Sequence, residues 1–310
     1  MQLIQCQVNA GLGNQLFQAC AAVCYGLNFN RNVILDSSWY SIQRYRPKRF
    51  FLLGDLLPFS GVITQDSKNC QLNYFRYSII GYLSIILQKR NMWRGCFPLL
   101  PGKRFLFEKS IHHQAHELAF DYPEHKLIMM GSWQTIEHFQ QVGKSFCQLI
   151  NPQFKLSADY LKFSKAIRSS ELPVSVHVRR GDFISLGHGV HTAGYYRAAA
   201  EAIQGRLMAE PDWFVFSEDQ EWCRSNLDFL GERVRFVSVK SAHAEIEELL
   251  LMRECRGGAI IANSSFSWWG AALGDAPDRP VFASRYRQGI GEGDEQAQRL
   301  LPHWQTMEEF

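Results

Sequence analysis

The chain has 310 residues, of which 46% are hydrophobic, a formal net charge of +3 and eight cysteines. This length exceeds that of a single hydrophobic core and fits two domains of about 150 residues each. The small net charge gives no indication of a nucleic-acid partner. No C-x-x-C pair occurs, which favours free thiols in a reducing compartment over disulfides or a zinc site.

The first 36 residues predict a strand–turn–helix–strand unit. Residues 1–8 form a strand pattern, a glycine-containing turn follows, and residues 32–36 form the second strand. Leu16 stands where a dinucleotide-binding G-x-G-x-x-G motif needs glycine, which disfavours a Rossmann oxidoreductase. The turn either presents Asn14, Gln15 and backbone amides to a polar ligand or simply packs the helix on the sheet.

Two adjacent arginines follow an apolar alternation at residues 174–178. This pattern predicts a strand that Gly181 ends, so that Arg179 and Arg180 project at its carboxyl edge, where open α/β sheets bind ligands. Two neighbouring guanidiniums favour an anionic partner, and a diphosphate matches arginine's bidentate geometry. The alternative is a surface arginine pair that Asp182 neutralises.

A third group lies near the end of the chain, where residues 259–262 read as a buried strand. Asn263, Ser264 and Ser265 are good N-cap residues, and free amides at a helix start favour anions. Phe266 is placed to stack on a base. Core packing is the preferred interpretation of the two tryptophans that follow, Trp268 and Trp269.

A further strand, residues 213–217, ends in an acidic corner. A carboxylate there, Asp219, suits the N1–H and amino group of guanine. The alternative is an N-cap for the helix that begins at Gln220.

These blocks together resemble the α1,2-fucosyltransferases of glycosyltransferase family 11. The resemblance rests on GLGNQLFQ at 11–18, GSWQ at 131–134 with Phe139, HVRRGD at 177–182, FSED at 216–219 with Trp222, and NSSFSWWGA at 263–271. The H-x-R-R-x-D pattern is shared by the wider group of fucosyltransferases that use GDP-fucose. One departure is residues 255–259, where family members often carry Cys-x-His and this chain has CRGGA.

The resemblance implies an α/β fold of the GT-B type, with two Rossmann-like domains that face a central cleft. The break at Asn151-Pro152 divides the chain into residues 1–152, the acceptor-side domain, and residues 153–310, the GDP-fucose-binding domain. In such folds the last segment often crosses back to the first domain.

The resemblance also implies the reaction: inverting transfer of L-fucose from GDP-fucose to the 2-hydroxyl of a terminal β-galactoside in an oligosaccharide or polysaccharide. No cofactor and no metal are expected. The chain contains no Asp-x-Asp motif, so arginine would supply the charge that a metal ion supplies elsewhere. A non-catalytic GDP-sugar or glycan-binding relative and a fucosyltransferase of another linkage are the alternatives.

Site roles follow from the same resemblance. Arg179, Arg180 and Asp182 are the expected catalytic residues. The expected donor-binding residues are His177, Arg179, Arg180, Asp219, Ser264, Ser265, Phe266, Gly13, Asn14 and Gln15.

No motif identifies the general base that inversion calls for. Asp182, His191 and Glu137 are candidates by chemical type alone. Their other interpretations are a loop salt bridge, an exposed histidine and an acid on a helix surface.

The N-terminal residues lack the pattern of a signal peptide, and no apolar run is long enough to span a membrane, which predicts a cytoplasmic enzyme. Residues 77–87 are apolar and flanked by basic residues. They fit either a helix of the acceptor domain or a segment that lies on the inner membrane surface near lipid-linked glycans.

Overall fold

The computed structural model describes residues 2–43, 48–58, 63–66, 97–100, 103–107, 118, 120–185, 189–207, 209–284 and 299–307. The chain forms two compact units, Met1–Phe154 and Lys155–Phe310. The division falls just after Asn151-Pro152, where the sequence predicts a break. Residues 77–87 lie outside the described residues. Among the helices that the structure describes, none is long and apolar enough to cross a bilayer.

The first unit opens with the predicted strand–helix–strand arrangement. Strand β1 (Leu3–Gln7) is followed by helix α1 (Leu12–Asn28) and strand β2 (Asn32–Asp36). The two strands pair in parallel, from Leu3 opposite Asn32 to Gln7 opposite Asp36. Small side chains at Ala19, Cys20, Ala21, Ala22 and Cys24 are buried, which brings α1 close to its neighbours.

The remaining described elements of this unit are α2 (Trp39–Ile42), a 3₁₀ turn (Leu53–Asp55), β3 (Ile63–Asp66), β4 (Phe97–Leu100), β5 (Lys103–Phe107), β6 (Lys126–Met130) and α3 (Ile136–Leu149). The sheet order is β3-β2-β1-β6-β5-β4, and only the β4–β5 pair is antiparallel among these described strands. Because β1 and β6 are neighbours, the loops after them meet at one edge. There Gln18 donates to Asn9 Oδ1 and to the carbonyl of Gly131.

The second unit also has an α/β fold, with a sheet of its own. Its elements are α4 (Ala158–Arg168), β7 (Pro173–Val178), α5 (Gly181–Ser185), α6 (Ala193–Leu207), β8 (Asp212–Ser217), α7 (Gln220–Asn226), a 3₁₀ turn (Asp228–Leu230), β9 (Val234–Val237), α8 (Ala244–Glu254), β10 (Gly258–Ile261), α9 (Ser265–Ala272), β11 (Val281–Ser284) and β12 (Gln305–Met307).

Its sheet has the order β12-β11-β10-β7-β8-β9, and every pair is parallel. Strand β12 extends this sheet beside β11. Residues 305–307 therefore belong to the second unit.

Strand β7 is buried along its whole length, on both faces. The sequence predicts an alternation of two faces, and the structure covers both, as parallel sheets require. The apolar face joins Tyr195, Ile203 and Trp213 in the core of this unit. The other face carries Ser175 and His177, which are buried although polar.

The role predicted for Gly181 is wrong. Strand β7 ends at Val178, and Gly181 opens helix α5. A Cβ atom at residue 181 would lie 2.8 Å from both Cγ and Oε1 of Glu218. Glycine at this position therefore leaves room for the Glu218 side chain, which a larger residue would displace, and it does not end the strand.

Candidate active site

The candidate site lies at the carboxyl edge of the second sheet. Strands β10, β7 and β8 are neighbours there, and all three run in the same direction. The double arginine follows β7, the acidic corner follows β8, and the NSSF segment follows β10. The structure thus brings together three blocks that are up to about 90 residues apart in the sequence.

Arg179 is held by two carboxylates. Its Nη2 lies 2.5 Å from Oδ1 of Asp182, and its Nη1 lies 3.8 Å from Oε2 of Glu218. The guanidinium also sits over the ring of Phe183, at 5.2 Å from the centroid. The salt bridge to Asp182, which the sequence offers as the alternative to ligand binding, is therefore present.

Arg180 is held differently. Its Nε donates to Oδ2 of Asp219 at 3.1 Å, and its guanidinium stacks on Trp222 at 4.2 Å. Its backbone N–H donates to Oε1 of Glu218 at 2.9 Å. Within the described part of the chain, neither Nη atom of Arg180 makes a hydrogen bond. Both Nη groups of this arginine are therefore available to a ligand.

Asp219 contacts two protein groups, and the sequence predicts one of these contacts, the N-cap. Its Oδ1 accepts from the backbone N–H of Trp222 at 3.1 Å, which caps helix α7. Its Oδ2 accepts from Arg180. The N-cap interpretation is therefore correct, and a contact with guanine stays a prediction.

His177 lies near the end of β7 and is buried. Its ring lies 5.5 Å from that of Phe266, which links the ends of β7 and β10. Burial and the nearby Arg179 cation lower the pKa of His177 to about 3, so the imidazole is neutral at physiological pH. Its Nδ1 has no hydrogen-bond partner within the described residues. Neutral imidazole donates at one nitrogen and accepts at the other, so Nδ1 has one hydrogen-bonding capacity that the described residues do not use.

The NSSF segment begins a helix as predicted. Ser264 is the N-cap of α9, and its Oγ accepts from the N–H of Phe266 at 3.3 Å. Ser265 and Phe266 form the first turn and are half-buried. Trp268 and Trp269 are buried, which confirms the core interpretation.

His191 holds this segment in place through a hydrogen bond. Its Nε2 accepts from the backbone N–H of Asn263 at 3.1 Å, and its ring lies 4.3 Å from that of Tyr195. The expectation of an exposed histidine is wrong, because His191 is buried. A lone pair that already accepts from Asn263 is not available to take a proton from a substrate, so His191 is better understood as a positioning residue.

The first unit carries the remaining predicted residues at the start of α1. Gly13 is buried, and Asn14 Oδ1 accepts from Nε2 of Gln134 at 2.7 Å. Gln15 differs from expectation. It is buried, its Nε2 donates to the carbonyls of Ala10 and Phe50, and its Oε1 accepts from Leu52 N. These bonds fix the Gln15 side chain to the protein, and a contact of Gln15 with the donor stays a prediction.

The third base candidate, Glu137, is exposed in the first turn of α3. The helix-surface interpretation is therefore correct for its environment.

Sequence reasoning missed Glu218, which bonds both arginines, although it directly precedes Asp219. It also missed Glu248 on α8, whose pKa is raised to about 7 by burial, with Glu245 and Glu218 adding repulsion. Within the described residues, no three His, Cys, Asp or Glu side chains gather as metal ligands.

Several known proteins are similar to this chain. An O-antigen biosynthesis glycosyltransferase, WbnK, from Escherichia coli is 27% identical over 297 residues, covering 90% of this chain and 92% of the relative. An alpha-1,2-colitosyltransferase from Escherichia coli is 28% identical over 283 residues, covering 88% of each. Galactoside alpha-(1,2)-fucosyltransferase 1 of Leontocebus fuscicollis is 27% identical over 177 residues, covering 54% of this chain and 48% of the relative.

A solved structure supports the fold class. The fucosyltransferase NodZ from Bradyrhizobium aligns with a TM-score of 0.52 and 13% identity, covering 87% of this chain and 93% of NodZ. Together with the parallel sheets of both units, this likeness confirms the α/β, GT-B-type fold. NodZ, an alpha-1,6-fucosyltransferase, has also been solved after soaking with GDP-fucose.

The family model for glycosyl transferase family 11 matches residues 83–278. This match covers more than half of the chain and includes the arginine pair, Asp219 and the NSSF segment. The chain therefore belongs to glycosyl transferase family 11.

Proposed function

We propose that this chain is an inverting glycosyltransferase that moves L-fucose from GDP-fucose to the 2-hydroxyl of a terminal β-galactoside. The observation that carries the proposal is the state of Arg180 at the carboxyl edge of β7. It is fixed by Asp219, Glu218 and Trp222, and both of its Nη groups are without a hydrogen bond within the described residues. Such a preorganised fork suits two oxygens of a diphosphate.

In this reaction the galactose 2-hydroxyl oxygen attacks C1 of fucose from the face opposite GDP. The bond between C1 and the β-phosphate oxygen breaks, and its electron pair leaves with GDP. Negative charge grows on that oxygen as the bond lengthens, so Arg180 binds the transition state more strongly than the ground state. The proton of the attacking hydroxyl passes to solvent, because the diphosphate is on the opposite face of the sugar and Asp182 and His191 already accept protein hydrogen bonds.

The other site residues then have supporting roles. Asp182 and Glu218 orient Arg179, which adds positive charge beside the diphosphate. Phe266 and His177 border the nucleotide, with Ser264 and Ser265 at the helix start. Asp219 bonds the guanine while it holds Arg180. We propose that no metal ion is required, because the arginines meet the developing charge.

A second donor deserves a direct test, because one similar protein is named an alpha-1,2-colitosyltransferase. Colitose is the 3-deoxy counterpart of L-fucose, so the two donors share the GDP group and differ at one hydroxyl. The alternatives of another linkage and of a non-catalytic GDP-sugar-binding protein are outcomes of the same assay.

A cytoplasmic enzyme that touches the inner membrane stays a proposal, and flotation with anionic vesicles tests it.

The experiment measures GDP release from GDP-fucose and from GDP-colitose, with and without lactose, followed by linkage analysis of the product. Fucose on the galactose 2-hydroxyl supports the whole proposal. A preference for GDP-colitose would mean that colitose, not fucose, is the sugar transferred. A different linkage would mean that another hydroxyl group is the acceptor. GDP binding without transfer to any β-galactoside contradicts the enzymatic assignment. Activity that EDTA abolishes and manganese restores contradicts the metal-free reaction.

A further inference from the structure

A phenylalanine in the first unit stands out by its exposure. The relative solvent accessibility of Phe50 is 68%. This is the largest value among the exposed large hydrophobic residues that the structure describes. An isolated exposed phenylalanine on a loose loop would need no explanation. Phe50 is not on a loose loop.

The backbone on both sides of Phe50 is tied down by Gln15. The Gln15 Nε2 donates to the carbonyl of Phe50 at 2.7 Å, and its Oε1 accepts from the N–H of Leu52 at 2.9 Å. The same Nε2 contacts the carbonyl of Ala10 at 3.2 Å. A buried glutamine amide is unfavourable unless it makes such hydrogen bonds. The bonds of Gln15 therefore fix this loop to the turn between β1 and α1.

A second tie runs through the neighbouring aromatic residues. The ring of Phe51 lies 5.8 Å from that of Tyr40, and the Tyr40 hydroxyl donates to the carbonyl of Ala10 at 3.0 Å. Ala10 itself has a φ of 64°, a left-handed conformation that a non-glycine residue adopts at a cost. The loop is therefore held against a strained turn at the carboxyl edge of β1, which is the edge where α/β sheets bind ligands.

We propose that the ring of Phe50 is the platform on which the galactosyl ring of the acceptor stacks. This inference rests on the proposed function and names the part of the chain that reads the acceptor. A galactopyranose has one face formed by the C–H groups of C3, C4 and C5, and this face matches the electron-rich face of an aromatic ring. The stacked face leaves the sugar's hydroxyl groups directed away from the ring.

The chain supplies a matched control. Phe120 is 51% exposed in the same unit, and its carbonyl accepts from the Tyr25 hydroxyl near the end of α1. It lies shortly before β6, at the amino edge of the sheet, where no ligand is expected. Removing its ring changes a comparable exposed aromatic surface at the wrong edge.

The experiment compares wild type with Phe50→Ala, Phe50→Tyr and Phe120→Ala in transfer to lactose, together with saturation-transfer NMR of lactose binding. We expect Phe50→Ala to raise the KM for lactose about 10-fold, the effect of one aromatic contact, with KM for the donor and Tm unchanged. Phe50→Tyr retains the ring and should keep the wild-type KM. In the wild-type NMR spectrum, protons 3, 4 and 5 of galactose should receive the strongest saturation.

A wild-type KM for lactose in Phe50→Ala, or an equal rise in Phe120→Ala, would overturn the proposal while leaving the proposed function intact. A wild-type protein that neither binds nor fucosylates any β-galactoside overturns both. An altered Tm or donor KM in Phe50→Ala assigns the residue to folding and equally contradicts the acceptor role.

Discussion

The Nε of Arg180 lies 3.1 Å from Oδ2 of Asp219, so the ends of β7 and β8 are joined by a salt bridge. The sequence assigns these residues to different parts of the donor, the diphosphate and the guanine. Their contact means that one substitution affects both parts. It also fixes the guanidinium plane, because Trp222 lies under it at 4.2 Å.

The first prediction concerns Asp219→Asn. Asparagine caps helices as well as aspartate does, so the bond to Trp222 N and the stability should persist. The charge that orients Arg180 is lost, and we expect GDP to bind about 10-fold more weakly, as measured by calorimetry. Asp219→Ala removes the cap as well and should additionally cost about 1 kcal/mol of stability. Wild-type GDP affinity in Asp219→Asn would contradict this coupling.

The second prediction separates charge from geometry at Arg180. Arg180→Lys keeps a positive charge but loses the fork and the stacking on Trp222. We expect kcat to fall on the order of 100-fold in Arg180→Lys and further in Arg180→Ala, measured as GDP release in the presence of acceptor. Arg197→Lys on the exposed face of α6 is the matched control and should be neutral. Near-wild-type kcat in Arg180→Lys would show that a point charge is sufficient.

The third prediction concerns His191, which holds Asn263. His191→Phe keeps a ring beside Tyr195 but leaves the buried N–H of Asn263 without an acceptor. Such a loss typically costs about 1–3 kcal/mol, and the displaced NSSF segment should also weaken GDP binding. His191→Gln returns an acceptor oxygen and should recover part of both losses. If His191→Gln and His191→Phe reduce kcat equally while GDP affinity and Tm stay unchanged, His191 acts on a proton and not on the loop.

Local sequence patterns predicted much of this fold for identifiable reasons. The β1–α1–β2 unit follows from alternation, a glycine turn and small helix residues, and all three are local signals. The N-caps at Ser264 and Asp219 are local as well. The contacts of Gln15 and His191 depend on partners 35 to 72 residues away, Phe50 and Asn263, and no periodicity encodes such pairs.

The misassignment of Gly181 has the same physical origin. A glycine after a strand is a common signal for a turn, whereas the glycine here lies against the side chain of Glu218, 37 positions away in sequence. Glu218 itself was overlooked because its role depends on how β8 aligns beside β7. Blocks that carry chemistry can thus be found in sequence, while the bonds that orient them are set by the sheet register.

The fourth prediction uses the raised pKa of Glu248. Burial raises this pKa from 4.5 to about 7, although the N–H of Val239 partly stabilises the carboxylate. Between pH 4.5 and 7 the unfolded chain releases this proton and the folded chain retains it. The unfolded state therefore binds fewer protons, and stability falls as pH rises through this window. The contribution of Glu248 is fully present below pH 4.5 and lost above pH 7.

Glu248→Gln removes this titration and keeps an oxygen for Val239 N. We expect the variant to match wild type near pH 4.5 and to exceed it by up to about 3 kcal/mol above pH 7, the value of a shift of this size. Urea unfolding at pH 4.5, 6 and 8 measures the difference. Glu221→Gln, which replaces an exposed acid on α7, is measured beside it as the control substitution. A constant difference between Glu248→Gln and wild type at all three pH values would mean that folding does not shift the pKa of Glu248, and would contradict the prediction.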